Sequence, residues 1–164
     1  MGGLDPAPLT ARFAVVAEGV EEAAARPLSA RKARLAAALI DDFCDRAFDE
    51  LRGAGPAWTL GAPDVLAFRD ALRARSAALA AIFDLCEEAP GAPRLVTRSV
   101  KVPIAEYHRL STPDYMVSLY NQNTVQRVML VHTDHRETEI HPVLAAAIAW
   151  WRESGLLGSG SPPA

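Results

Sequence analysis

Apolar residues recur every three or four positions through the first half of the chain, and every two positions through much of the second. Leu9, Phe13, Val16, Ala17 and Val20 share one side of a helix expected from about Pro8 to Ala25, with Gly19 as its weak point. Pro27 interrupts that pattern, and Ser29 is placed to cap a second helix. Leu35, Leu39, Ile40, Phe43, Ala47 and Leu51 form the expected stripe of this helix, which ends at the glycine- and proline-rich run from Gly53 to Pro56. Trp58, in the following linker, is expected to cover one end of the core. A third helix is expected to start near Pro63 or Asp64 and continue to Glu88, turning Val65, Phe68, Leu72, Leu79, Ile82, Phe83 and Cys86 inward.

Between Pro90 and Pro93 the alanine-rich pattern gives way to β-branched residues. Leu95 to Val102 alternates imperfectly, with Val96, Val100 and Val102 sharing a face with Arg98. This predicts a half-buried strand near a sheet edge, because Pro103 closes it. Ile104 to Leu110 reads as a second short strand or an irregular connection. Tyr115–Tyr120 and Val125–His132 make the clearest strand pair, joined by the turn-prone Asn121, Gln122 and Asn123. Val128 to Val131 is apolar on both faces, which suits a strand inside a sheet. Thr133 to Arg136 follows as a turn, and Glu137 to His141 as a final edge strand whose charges guard the exposed ladder. Pro142 suits the first turn of a last helix with Val143, Leu144, Ala147, Ile148 and Trp151 inward, and Gly155 ends it.

The expected class is therefore α+β: three N-terminal helices packed with a small antiparallel sheet over about 94–141 and a C-terminal helix. One domain is expected over 1–155, with a helical part at 8–89 and the sheet and final helix at 94–154. Residues 156–164 are expected to form a flexible tail.

Composition narrows the function classes. Half of the 164 residues are hydrophobic and 23% are charged, which fits an ordered chain. The net charge of -3 is uneven: residues 1–90 carry 14 acids and 10 bases, residues 91–164 carry 6 and 7. Neither part has the basic stripe of a non-specific nucleic-acid binder, and no compact basic recognition helix is apparent, so nucleic acid is not an expected partner. No apolar run reaches membrane-spanning length, and the first residues lack a signal-peptide pattern. A cytoplasmic protein without a membrane partner is expected, with Cys44 and Cys86 reduced and buried.

Candidate chemistry gathers late in the chain. All four histidines fall between His108 and His141, the last three accompanied by Asp134, Glu137 and Glu139. Imidazole and carboxylate groups can ligate zinc or another divalent metal, which makes His132, Asp134, His135, Glu139 and His141 a candidate metal set. The same region supports a hydrolase in which Asp134 orients His132 or His135 as the proton carrier and a glutamate activates water. Opposing both is the absence of an HExxH, finger or GxSxG pattern. Asp42, Asp45 and Asp49 share helical spacing but read better as a solvated face, and Arg69, Arg73 and Arg75 as solvated or internally paired groups.

A binding or protein-interaction domain without catalysis asks least of these residues, and it needs no cofactor. Tyr107, His108, Tyr115, Tyr120, Asn121 and Asn123 are the expected ligand-binding residues, lining a crevice between sheet and helices. Arg98, Arg109 or Arg127 would meet a small polar or anionic ligand. Trp150, beside an inward Trp151, is a candidate contact for a homodimer or another protein partner.

Overall fold

The computed structural model describes residues 7–102 and 124–158. The first helix, α1 (Ala7–Ala24), matches the expected span and buries Leu9, Phe13, Val16, Ala17 and Val20. Ser29 then caps α2 (Ala30–Leu51), its side chain accepting the Lys32 N–H at 3.2 Å. A short 3-10 turn (Arg52–Ala54) follows, and Gly55 leaves it at φ 117°, a conformation open to glycine.

The buried stripe of α2 differs from the expected one. Ala33, Ala36, Ala37, Ile40, Phe43, Cys44, Ala47, Phe48 and Leu51 are buried, whereas Leu35 is 54% exposed. Alanine presents little bulk, so neighbouring backbones can lie close to this face; turning Leu35 inward would force them apart. Gly19 of α1 has the same use. A Cβ there would stand 2.6 Å from Leu39 Cδ1, so this glycine marks a close approach of α1 to α2 beyond any weakening of its helix.

The expected third helix is two helices, α3 (Val65–Arg75) and α4 (Ala77–Cys86). Ser76 separates them in an extended conformation. Its N–H donates to Leu72 O at 2.9 Å, closing α3, and its side chain accepts the Leu79 N–H at 3.2 Å, opening α4. The bend lets Phe68 and Leu72 of one helix, and Leu79, Ile82 and Phe83 of the other, enter the same core.

Charged groups clamp these three helices together. Arg69 of α3 donates to Asp45 through Nε at 2.7 Å and Nη2 at 3.1 Å, and to Asp41 through Nη1 at 2.9 Å. Its guanidinium lies 4.7 Å from the Phe83 ring centroid of α4. Arg73 reaches Asp84 and Glu87. Both arginines are thus internally paired, as the alternation with acidic residues suggests.

The sheet is antiparallel in the order β1 (Arg94–Lys101), β2 (Thr124–Val131), β3 (Glu137–Glu139). Leu95 pairs with Leu130 and Thr97 with Val128, and Met129 pairs with Glu139 on the other side. β2 is central, and Val128, Met129, Leu130 and Val131 are all buried. Val128 and Leu130 join the helical core, while Met129 and Val131 have the opposite parity and are buried on the other face. The strand pairing expected between 115–120 and 125–132, with its turn at Asn121–Asn123, involves residues outside the described ones, as does the segment 104–110.

Within the described sheet the partner of β2 along its full length is β1. The final helix, α5 (Ile140–Glu153), starts directly after β3, so Ile140 and His141 are helical rather than part of an edge strand. It packs over β2, and α2 packs against β1. Trp151 is 1% exposed, with its ring edge-on to Phe43 at 5.0 Å. Gly155 follows the helix at φ 76°, and Leu156 is buried in the core beyond it. Among the described residues no helix is long and apolar enough to cross a membrane.

The sign of one substitution separates two helices from one. In an unbroken helix Ser76→Ala would stabilise the protein, since alanine is the better helix former. With Ser76 as a buried cap, Ser76→Ala is expected to lower unfolding free energy by about 1–2 kcal/mol in urea denaturation.

Candidate functional site

The histidine-rich segment is a tight hairpin turn between β2 and β3. His132 N–H donates to Arg136 O at 2.8 Å, and His135 N–H donates to His132 O at 3.0 Å. Asp134 accepts the Arg136 N–H at 3.1 Å, an Asx-type contact that holds the loop. His135 sits at φ 66°, the left-handed position that closes such three-residue loops and that glycine normally occupies. The side chains then diverge in use. His132 Nε2 hydrogen-bonds Thr138 Oγ1 at 2.8 Å across the hairpin. His141 Nε2 donates to Pro27 O at 3.0 Å, tying the start of α5 to the link between α1 and α2.

Asp134 makes no hydrogen bond to His132 or His135, and Glu139 lies 3.9 Å from Arg127. Among the described residues no group of three or more histidine, cysteine or acidic side chains is gathered to hold a metal ion. Of the proposed binding residues, Tyr107, His108, Tyr115, Tyr120, Asn121 and Asn123 all lie outside the described residues. Of the proposed anion contacts, Arg98 meets Glu137 at 3.3 Å and Arg109 lies outside the described residues. Trp150 is half-buried and packs edge-on against Trp151, so it contributes to the core margin.

The two cysteines are free thiols. Burial pushes the Cys44 thiol well above its ordinary range, and neighbouring Arg69 offsets only part of that. Cys86 is half-buried, and desolvation with the nearby Asp41 charge pushes it up to about 11. Neither has the thiolate character that nucleophilic chemistry needs.

A different surface gathers unspent groups. Where the first turns of α2 meet the start of β1, an open groove of about 670 Å³ is lined by Arg31, Arg34, Leu35, Ala38, Arg94 and Leu95. The helical residues recur at the spacing of one face, and the two strand residues border them from the side. Arg34 pairs with Glu88 at the surface. Arg31 and Arg94 are exposed and have no ion-pair partner among the described residues. Leu35 lies among these cations and Leu95 is half-buried against the core. None of the six is a nucleophile or a proton carrier at neutral pH, so the chemistry this groove offers is recognition: charge-assisted hydrogen bonds beside apolar contact.

Sequence reasoning missed this face because Leu35 was assigned to the buried stripe. The spacing of Arg31, Arg34, Leu35 and Ala38 was a readable signal once that leucine is released from the core. No protein-family model matches the chain, and no curated protein or solved structure shows significant similarity to it.

Two outcomes follow from these assignments. His135→Gly is expected to stabilise the protein by about 1 kcal/mol, because glycine takes the left-handed position without the Cβ clash; thermal unfolding measures it, and a fall in stability would remove the turn role. For Cys86 the unfolded thiol ionises near 9.0 and the folded one near 11. Its contribution to stability is therefore full below pH 9 and is lost as pH rises from 9 towards 11. Cys86→Ser should remove that portion of the alkaline decline in urea-denaturation midpoints.

Proposed function

We propose that this chain is a binding domain that takes an anionic ligand with an apolar portion in the groove between α2 and β1. The observation that supports it is the meeting of Arg31 and Arg94, both without ion-pair partners among the described residues, with an exposed leucine in one cavity. Exposed cations scattered over a surface are ordinary, and so are single exposed leucines. Their convergence from two elements is less so.

Arg31 carries a further sign of use. It stands in the first turn of α2, beside Lys32, where the backbone N–H groups already create positive potential and the turn itself holds no acidic residue; Glu22 of α1 pairs with Lys32 and not with Arg31. This placement opposes helix stability, whereas a bound anion would relieve it. Recognition would then combine two or three guanidinium contacts with burial of the rest of Leu35, an apolar contribution of about 1–2 kcal/mol.

Arg31→Glu separates binding from folding. The substitution suits the helix start and is expected to raise unfolding free energy by about 0.3–1 kcal/mol. It should at the same time weaken binding of octyl phosphate by about ten-fold or more, the scale of one lost charge-assisted contact. Titration calorimetry with octyl phosphate, and with octanol as the uncharged control, reads both arms of the ligand. Equal binding by the variant and the parent would remove the groove from the site.

A further inference from the structure

Resting on the groove reading above, we propose that its occupant is an extended acidic peptide segment of a partner protein, added to the sheet as a strand alongside β1. Among the described residues β1 is hydrogen-bonded to another strand on one side only, because the order is β1-β2-β3. A strand leaves alternate N–H and C=O groups unpaired along such an edge, and an incoming extended chain satisfies them. The edge is eight residues long, about 27 Å at the usual rise, so a small anion would use only its Arg94 end.

The surroundings fit a strand better than a compact ligand. β1 is open to solvent over most of its length: Arg94, Thr97, Arg98, Ser99 and Lys101 are exposed. α2 stands at its Arg94–Leu95 end and presents Arg31, Arg34 and Leu35 across the groove. An added chain therefore lies between an edge strand and a helix, where main-chain hydrogen bonds supply affinity and alternate side chains meet the groove. Its side chains on the helix-facing side would meet Arg31, Arg34 and Leu35 beside Leu95, with carboxylates among them paired to the guanidinium groups, while those on the other side would pass Arg94, whose parity is opposite to that of Leu95.

Charge selects the partner. Self-pairing of two β1 edges about their midpoint would set Arg94 against Lys101 in both halves, juxtaposing like charges. A second copy of this chain is thus disfavoured, and an acidic strand is favoured. Cations on an edge strand also guard against unwanted pairing. That protective role accounts for Arg94 and Lys101 but not for Arg31 and an exposed Leu35 on the neighbouring helix.

The test uses the full chain and a capped peptide that alternates glutamate with valine and leucine. Binding is read by titration calorimetry, and amide exchange is followed along β1. The peptide is expected to bind, to slow exchange of alternate β1 amides by about ten-fold or more, and to lose about ten-fold in affinity with Arg31→Glu or Arg94→Glu. A version methylated on alternate backbone nitrogens keeps every side chain but cannot complete the ladder; equal binding by it overturns strand addition. Protection of the outward β1 amides before any peptide is added also overturns it, since the edge is then already paired. Binding of octyl phosphate without binding of the peptide rejects the peptide and leaves the anion groove standing. Failure of both probes rejects the groove as well, and self-association that blocks the peptide assigns the edge to a second copy.

Discussion

The close packing allowed by alanine along α2 is the constraint on which the rest of the arrangement depends. Ala33, Ala37 and Ala47 have no exposed surface, and Cys44 shares their stripe. α1, α3, α4, α5 and β1 all pack against this one helix. With small side chains at the contacts, neighbouring backbones approach closely and the larger residues, Ile40, Phe43, Phe48 and Leu51, fill what remains between them. Gly19 supplies the same clearance from the α1 side, opposite Leu39. One consequence reaches the surface. A stripe made of alanines occupies the arc that a leucine would otherwise take, and Leu35 is left facing outward at the edge of β1.

A second consequence concerns charge. The acidic row of α2 is a structural counterpart to α3 before it is anything else. Asp41 and Asp45 meet the three donor nitrogens of Arg69, whose flat face rests over Phe83. Arg69 is only 17% exposed at its side chain, and its paired carboxylates hold its charge firmly in place, raising its pKa further above the normal range despite the opposing effect of burial. A divalent ion at Asp45 would have to displace that guanidinium. Asp42 and Asp49 are engaged separately, by Arg46 and Arg52. Thus most charges of the helical half are assigned to one another, whereas Arg31 and Arg94 beside the groove have no ion-pair partner among the described residues.

What the chain disclosed before its structure was known divides along physical lines. Val128 to Val131 could be placed in a sheet interior because a run apolar on both faces has few other uses, and α1 because its bulky residues carry the period unaided. Ser29 was readable as a cap because a proline precedes it. Ser76 was not, since its neighbours Ala77 and Ala78 continue the helical period and nothing local announces a bend; the cap is justified only by the core that both halves enter. The α2 stripe was misjudged for a related reason. Alanine looks neutral in a hydrophobic pattern, and whether it is a spacer or a contact depends on a partner helix that sequence does not display. His135 illustrates the chemical version of the same problem: a residue rich in possible roles is held at a left-handed turn position, where its backbone does the visible work.

The proposed site draws its character from the groups that the fold leaves unspent. His132 and His141 are committed to Thr138 and to Pro27 O, while Arg69 and Arg73 bind their own carboxylates. At the start of α2, Lys32 is offset by Glu22 and Arg34 by Glu88. Arg31 remains on the same turn, close to backbone N–H groups that add to its potential rather than oppose it. A protein selected for stability alone would gain by placing an acid there. On the proposed reading, Arg31 would meet a negative group from outside, and β1, which among the described residues pairs with a strand on one side only, would offer that group's chain a backbone to pair with.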